Sequence, residues 1–181
     1  MPFFELDALW ILLIFEDMKT FSLILFFLSA SLGHAQIIQD DTSSVDKMIT
    51  ALYDVISGPA GQRNWDRMKN LFTKDAQMGA VFKNQEGVIT YRSFSPDDYI
   101  KNNDPYFLKN AFIEKELYRT NQTFGQLVHV FTTYEFESGD EKARGINSLQ
   151  LIYTNQRWYI TSIIWQEETP DNPIPAEYLP R

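Results

Sequence analysis

No cysteine occurs among the 181 residues. That absence removes disulfides, thiolate nucleophiles and cysteine-ligated zinc together. Histidine is almost absent too, at His34 and His129 alone. So few imidazoles argue against a transition-metal site, and a Ser-His-Asp triad would have to run through His129. Positive charge is scarce: 16 Lys and Arg stand against 24 Asp and Glu, for a formal charge of −8. Nonspecific nucleic-acid binding needs a basic face that displaces counterions, so nucleic acid is not an expected partner. The chain has no Gly-rich phosphate loop, no dinucleotide fingerprint and no G-x-S-x-G elbow. The sequence therefore asks for neither a metal nor a cofactor.

What is present is apolar and aromatic, at 44% and 15% of the residues. That is enough for one packed domain with a real core. Near the N-terminus, Met18-Lys19 precedes a mostly apolar run over residues 21–28, with small residues at Gly33 and Ala35. A basic start, a short apolar stretch and small residues before the cut describe a secretory signal peptide cleaved after Ala35. The apolar run is too short to span a bilayer, so no stable membrane span is expected after cleavage. Residues 1–17 carry Glu5, Asp7, Glu16 and Asp17 and no basic residue. They read as an upstream extension, with Met18 as the start of the signal. The expected division is extension and signal over 1–35, one domain over 36–168 and a Pro-rich tail over 169–181. The expected localisation is secreted or periplasmic.

Ser43 and Asp46 fit a capping box ahead of a helix whose apolar stripe is Val45, Met48, Ile49, Leu52 and Ile56. Residues 57–61 (SGPAG) end it. Asn64 caps a second helix carrying Trp65, Met68, Leu71 and Phe72, closed by residues 73–75. Short strands are expected over 76–82 and 87–94. Ser95-Pro96 followed by Asp97 and Asp98 starts a third helix, which Asn102, Asn103, Asp104 and Pro105 should keep short. Strands follow at about 112–121, 124–137, 144–154 and 157–167. Pro170, Pro173, Pro175 and Pro180 bar the tail from a central strand. This order predicts an α+β fold: a curved antiparallel sheet wrapped over about three helices. Val128, Val130, Tyr134 and Phe136 mark one apolar face, while Leu127 and Phe131 mark the other. A free face would be polar, so the second face should be covered as well, by a partner chain in a homodimer through the sheet.

Candidate pocket residues follow from type and alternation. His129, mid-strand in LVHVF, reads either as a general base or as a buried ring bonded to a neighbour. Thr133 shares its face. Asn147 and Gln150 interrupt an apolar strand on opposite faces, and Arg144 should pair with Glu135 or Glu137 across the hairpin. Trp65, Tyr91, Trp158 and Trp165 fit either an apolar cavity or ordinary core. Trp158 and Trp165 differ by an odd number, which puts them on opposite faces of a regular strand. Glu114 and Glu116 share a face and read either as an acid/base pair or, more simply, as a solvated face. No catalytic residue is assigned.

Three stretches carry a resemblance. They are NWDRMKNLFTKDAQM (64–78), FGQLVHVFTTYEF with RGINSLQLIY (124–136 and 144–153), and RWYITSIIWQEE (157–168). In this order they resemble the nuclear transport factor 2-like superfamily of cone-shaped domains, which includes polyketide cyclases and ketosteroid isomerase. The closest likeness is to secreted bacterial members without an established activity. The resemblance implies a pocket between sheet and helices, and frequent dimers. The isomerase members' carboxylate base and acidic partner cannot be placed here from the residues. Three functions remain open. The first is a pocket for a small apolar or amphipathic molecule without assigned catalysis. The second is a lyase or isomerase using His129 in that pocket. The third is a structural dimerisation module. His129, Trp65, Tyr91, Thr133, Asn147, Gln150 and Trp165 are the residues to locate.

Overall fold

The computed structural model describes residues 40–180. The signal peptide, the extension and the start of the lead-in, expected over residues 1–39, lie outside the described residues. Helix α1 (Val45–Ile56) starts at Ser44, whose hydroxyl accepts from the Lys47 N–H at 3.2 Å. The cap is thus one residue later than the expected Ser43. Ser43 is engaged behind it, its hydroxyl donating to the Asp40 carbonyl at 2.7 Å. Met48, Ile49, Leu52 and Ile56 form the buried stripe. Helix α2 (Trp65–Leu71) is capped by Asn64, which accepts from the Arg67 N–H at 3.0 Å.

Strand β1 (Phe72–Lys83) begins at once, so residues 73–75 are strand and not a helix stop. Its register slips between Phe72 and Gln77, and that irregularity absorbs the turn from helix into sheet. After β2 (Ile89–Phe94), helix α3 (Pro96–Phe107) opens with a complete Ser95–Asp98 capping box. It runs past its expected stop. Pro105 sits in the last turn, and the buried Phe107 ring anchors that turn against Trp65 and Phe112 at 5.7 and 5.3 Å. Aromatic burial outweighs the one backbone bond that proline removes.

Four long strands follow: β3 (Ile113–Phe124), β4 (Leu127–Ser138), β5 (Glu141–Thr154) and β6 (Arg157–Glu167). Gly125, at φ 56°, makes the tight turn between β3 and β4, so the break expected at residues 122–123 falls at 125–126. The sheet order is β2-β1-β6-β5-β4-β3, with ends that do not meet. Every pairing is antiparallel except β1 with β6, which is parallel. The result is the expected α+β fold, a curved, unclosed six-stranded sheet with three helices.

The helices cover the inner face. Val128, Val130, Tyr134 and Phe136 point into it from β4, joined by Leu149, Leu151, Ile160 and Ile163. Each fully buried aliphatic side chain contributes about 2 kcal/mol by leaving water. A register shift at Gln150/Leu151 inserts an extra residue into β6. Ile160 and Ile163 therefore both face inward, and so do Trp158 and Trp165, which pack against the core. The opposite-face reading of the two tryptophans assumed a regular strand and fails at that bulge.

The outer face is covered in part by the chain's own tail. Ile174 is buried, the Tyr178 ring meets Phe131 edge-on at 5.0 Å, and the Thr133 hydroxyl donates to the Tyr178 carbonyl at 2.6 Å. Glu168 accepts from the Ile174 N–H at 2.9 Å and pairs with Arg144 at 2.8 Å. Arg144 lies opposite Glu135 in register, yet its guanidinium bonds Glu168, while Lys115 and Lys142 take Glu135. The cover that the apolar outer face demanded comes here from within the chain.

Candidate functional site: the aromatic cavity

Between α1, α3 and the inner face lies a cavity of about 240 Å³. Its apolar walls include Leu52 and Ile56 from α1, and Met78 and Ile163 from the sheet. Its aromatic walls come from α3 and the strands, with Tyr99 and Trp165 meeting at 88° and 6.3 Å between ring centroids. Tyr134 leans across Gly145: a Cβ there would lie 2.4 Å from the Tyr134 hydroxyl and 2.5 Å from the Gln166 carbonyl. The glycine in RGINS therefore makes room for an inward phenol, because no larger residue fits beneath it.

Four polar side chains break this lining: Asn103, Glu114, Asn147 and Glu167. Glu114 is brought inside by register. It pairs with Phe136, and Glu116 pairs with Tyr134, both partners being inward-facing. The solvated-face reading of these two glutamates is therefore corrected. Nor do they act as a pair, because their partners differ. Glu116 is held by Arg119 through two contacts of 2.8 Å and accepts from Thr132 at 2.7 Å. Among the described residues Glu114 has no basic partner; Asn147 is its hydrogen-bond partner. Burial pushes the Glu114 carboxyl up to about 7, with Glu167 adding to the rise and Asn147 opposing it. Burial likewise pushes the Tyr99 and Tyr134 phenols up, with Glu114 as the next cause for each. Burial and Glu141 raise the Glu167 carboxyl at the rim.

Asn147 is fixed by a hydrogen-bond chain with one direction. The single Thr132 hydroxyl proton goes to Glu116, so the Tyr53 phenol, 3.2 Å away, must donate to Thr132. Tyr53 then accepts from Asn147 Nδ2 at 3.1 Å. Each hydroxyl has one proton to give, so Glu116, held by Arg119 at the far end, orients every group back to Asn147.

The residues singled out by sequence are dispersed. Asn147 and Trp165 line the cavity. Trp65 packs behind it on Phe107 and donates its indole N–H to Asp104 at 2.5 Å. Tyr91 lies exposed over Gly79 on β1. His129, Thr133 and Gln150 alternate onto the outer face. There His129 sits opposite Gln122 and Gln150, with Nε2 3.1 Å from the Ser148 hydroxyl. The reading of His129 as a base in this cavity is thus corrected: the sheet stands between them. Tyr99, Tyr134 and Glu167 were missed, and Glu114 was set aside. A signal existed for Glu114, since it shares strand parity with Phe112 and Glu116, but the β3–β4 register that carries it inward is not local information. Among the described residues no group of three His, Asp or Glu could hold a metal, and no helix is long and apolar enough to cross a membrane.

Comparison with solved structures decides the architecture. A provisionally named dehydratase of the NTF2-like (nuclear transport factor 2-like) family from Streptomyces avermitilis superposes with a TM-score of 0.54. The match covers 71% of this chain and 96% of that one, at 12% identity. The fold is nuclear transport factor 2-like. A provisionally named ketosteroid isomerase from Parabacteroides distasonis gives a TM-score of 0.52, at 9% identity over 73% and 98% of the two chains. A protein of unknown function with a cystatin-like fold from Nostoc punctiforme gives 0.50, at 11% identity over 74% and 98%. No protein-family model and no curated protein sequence matches the chain. At these identities the nuclear transport factor 2-like likeness extends to the backbone and not to the cavity's side chains.

Proposed function

We propose that the inner cavity binds a small, largely apolar molecule and that Glu114 is the polar group that engages it. One observation carries this reading. A carboxyl without a basic partner sits in an aromatic hollow, raised to about 7 chiefly by burial and held by an oriented amide. A structural carboxylate is ordinarily paired or solvated, whereas among the described residues Glu114 has Asn147 and the cavity for company. The dimerisation-module reading is weaker, because the hollow is not filled by the chain's own side chains and the tail already covers part of the outer face. Export through the segment 18–35 and a homodimer through the rest of the outer face belong to the same proposal. A light-scattering mass of one chain would remove the dimer.

A second reading is proton transfer of the isomerase or lyase kind. What favours it is Glu114 rather than His129, since a group near neutrality can both accept and return a proton. Two neighbours in fold bear provisional names of that chemistry, an isomerase and a dehydratase. The test is native mass spectrometry of protein from its own source, joined to carboxyl-carbon NMR of Glu114. A retained small molecule whose removal shifts the Glu114 titration is the expected result. Titration of Glu114 at its ordinary value, unchanged by any retained molecule, would refute the assignment.

A further inference from the structure

The cavity has a charge preference as well as a shape. Its lining carries two carboxyl groups, Glu114 and Glu167, and no lysine, arginine or histidine. The groups facing Glu114 from other elements are Tyr53 on α1, Tyr99 on α3, Tyr134 on β4, Asn147 on β5 and Glu167 on β6. None supplies a positive charge. The nearby cation is Arg63, and it is already engaged. Its guanidinium donates to the carbonyls of Ile56, Gly58, Pro59 and Gly61 at 2.8 to 3.1 Å. It also stacks over the Phe107 ring at 5.1 Å, so one ring of the cavity wall already serves as a cation platform.

The remaining walls fit the same kind of guest. Tyr99 and Trp165 stand perpendicular, forming a corner of aromatic rings. Aromatic faces attract cations through the ring quadrupole, most strongly where water is excluded. An anionic guest would meet two carboxyls and no donor with full charge. We propose, building on the small-molecule reading above, that the cavity selects a small organic monocation, an alkyl- or arylammonium group on an apolar body. Glu114 is its counter-ion and the aromatic corner its second support. The guest is small, because the volume lies below the ~300–1,000 Å³ usual for drug-sized ligands.

Proton linkage supports the proposal and gives it a sign. A bound cation favours the ionised Glu114, so uptake releases a proton when the carboxyl starts protonated. Affinity for the cation therefore rises with pH through the region near 7, where Glu114 ionises.

Three probes of one shape separate the outcomes: phenethylammonium, 2-phenylethanol and phenylacetate, titrated at about pH 5 and about pH 8 and followed by the Trp165 indole NMR signal and calorimetry. The ammonium is expected to bind at least about tenfold tighter than the alcohol at pH 8, roughly 1.4 kcal/mol. It should lose at least about tenfold at pH 5. Phenylacetate should bind most weakly. In E114Q the preference of ammonium over alcohol should vanish while the alcohol still binds. Equal binding of ammonium and alcohol at pH 8, or tightest binding of phenylacetate, would overturn the cation inference and leave the pocket reading standing. If none of the three moves the Trp165 signal at millimolar concentration, the pocket reading falls with it. The wild-type pH comparison decides the matter even if E114Q does not fold.

Discussion

Thr132 and Thr133 are neighbours on β4 and both are fully buried, yet they face opposite sides of the sheet. Thr132 looks inward and links Tyr53 to Glu116, within the chain that orients Asn147. Thr133 looks outward and holds the carbonyl of Tyr178 in the tail. The inner face is closed by helices that leave an aromatic hollow, while the outer face is closed in part by a Pro-rich segment laid across it. The comparison teaches that burial alone does not mark a site. Thr133 is as buried as Thr132 but serves only to fasten the tail. What distinguishes the inner face is an unpaired carboxyl that the packing leaves in contact with open space.

The contrast between the two faces can be broken in order of expected effect. Leu149→Ala, at a fully buried inward position on β5, should cost about 3–4 kcal/mol in denaturant unfolding. Ile164→Ala, outward and 39% exposed on the adjacent β6, should cost about 1 kcal/mol. Equal losses at the two positions would erase the distinction between the faces.

The next effect depends on pH. The folded Glu114 value of about 7 lies above its ordinary 4.5, so the native state holds an extra proton between these values. Native stability from this group is thus fully present below about pH 4.5 and is lost as pH rises through 7. Glu114→Gln should remove that slope, matching wild type at about pH 4 and gaining up to about 3 kcal/mol at about pH 9. Chemical denaturation across this range reads the difference, and parallel curves for the two proteins would refute the burial of an unpaired carboxyl.

The two threonines sharpen the comparison further. Thr132→Val should cost about 2 kcal/mol, because it strands the Tyr53 phenol and one Glu116 lone pair inside. It should also loosen Asn147 and shift the Glu114 titration. Thr133→Val should cost about 1 kcal/mol, release the tail to proteolysis and leave the Glu114 titration in place. A Glu114 shift in the Thr133 variant would mean that the two faces communicate. The smallest effect is expected at His129. His129→Ala removes the contact with Ser148 on the outer face, should cost roughly 0.5 kcal/mol, and should leave binding in the inner cavity unchanged. A loss of ligand binding there would return the imidazole to the site.

Much of the scaffold was legible because it rests on short-range rules. Ser95-Pro96 with Asp98 announces a helix start, and the α1 stripe and the alternation of Val128, Val130, Tyr134 and Phe136 announce buried faces. Where the reading failed, a tertiary contact overrode a local signal. Pro105 was expected to stop α3, and aromatic packing of Phe107 carried the helix through. Trp158 and Trp165 were separated by parity, and one bulge in β6 reunited them. The site was less legible still. Asn147 and Trp165 were picked out as polar or aromatic interruptions of a strand, but nothing local distinguished Glu114 from a solvated glutamate.

The sequence by itself determined which segments alternate and which coil, because side-chain direction and backbone hydrogen bonding act over a few residues. It also determined the negative balance and the absence of thiol chemistry. Tertiary structure alone decided the register of β3 on β4, the bulge in β6 and the course of the tail. The register puts Glu114 inside, the bulge turns Trp158 and Trp165 to the same side, and the tail closes part of the face that carries His129. Register and bulge are settled by packing between segments far apart in the chain, and a carboxyl changes character only when that packing takes water away from it.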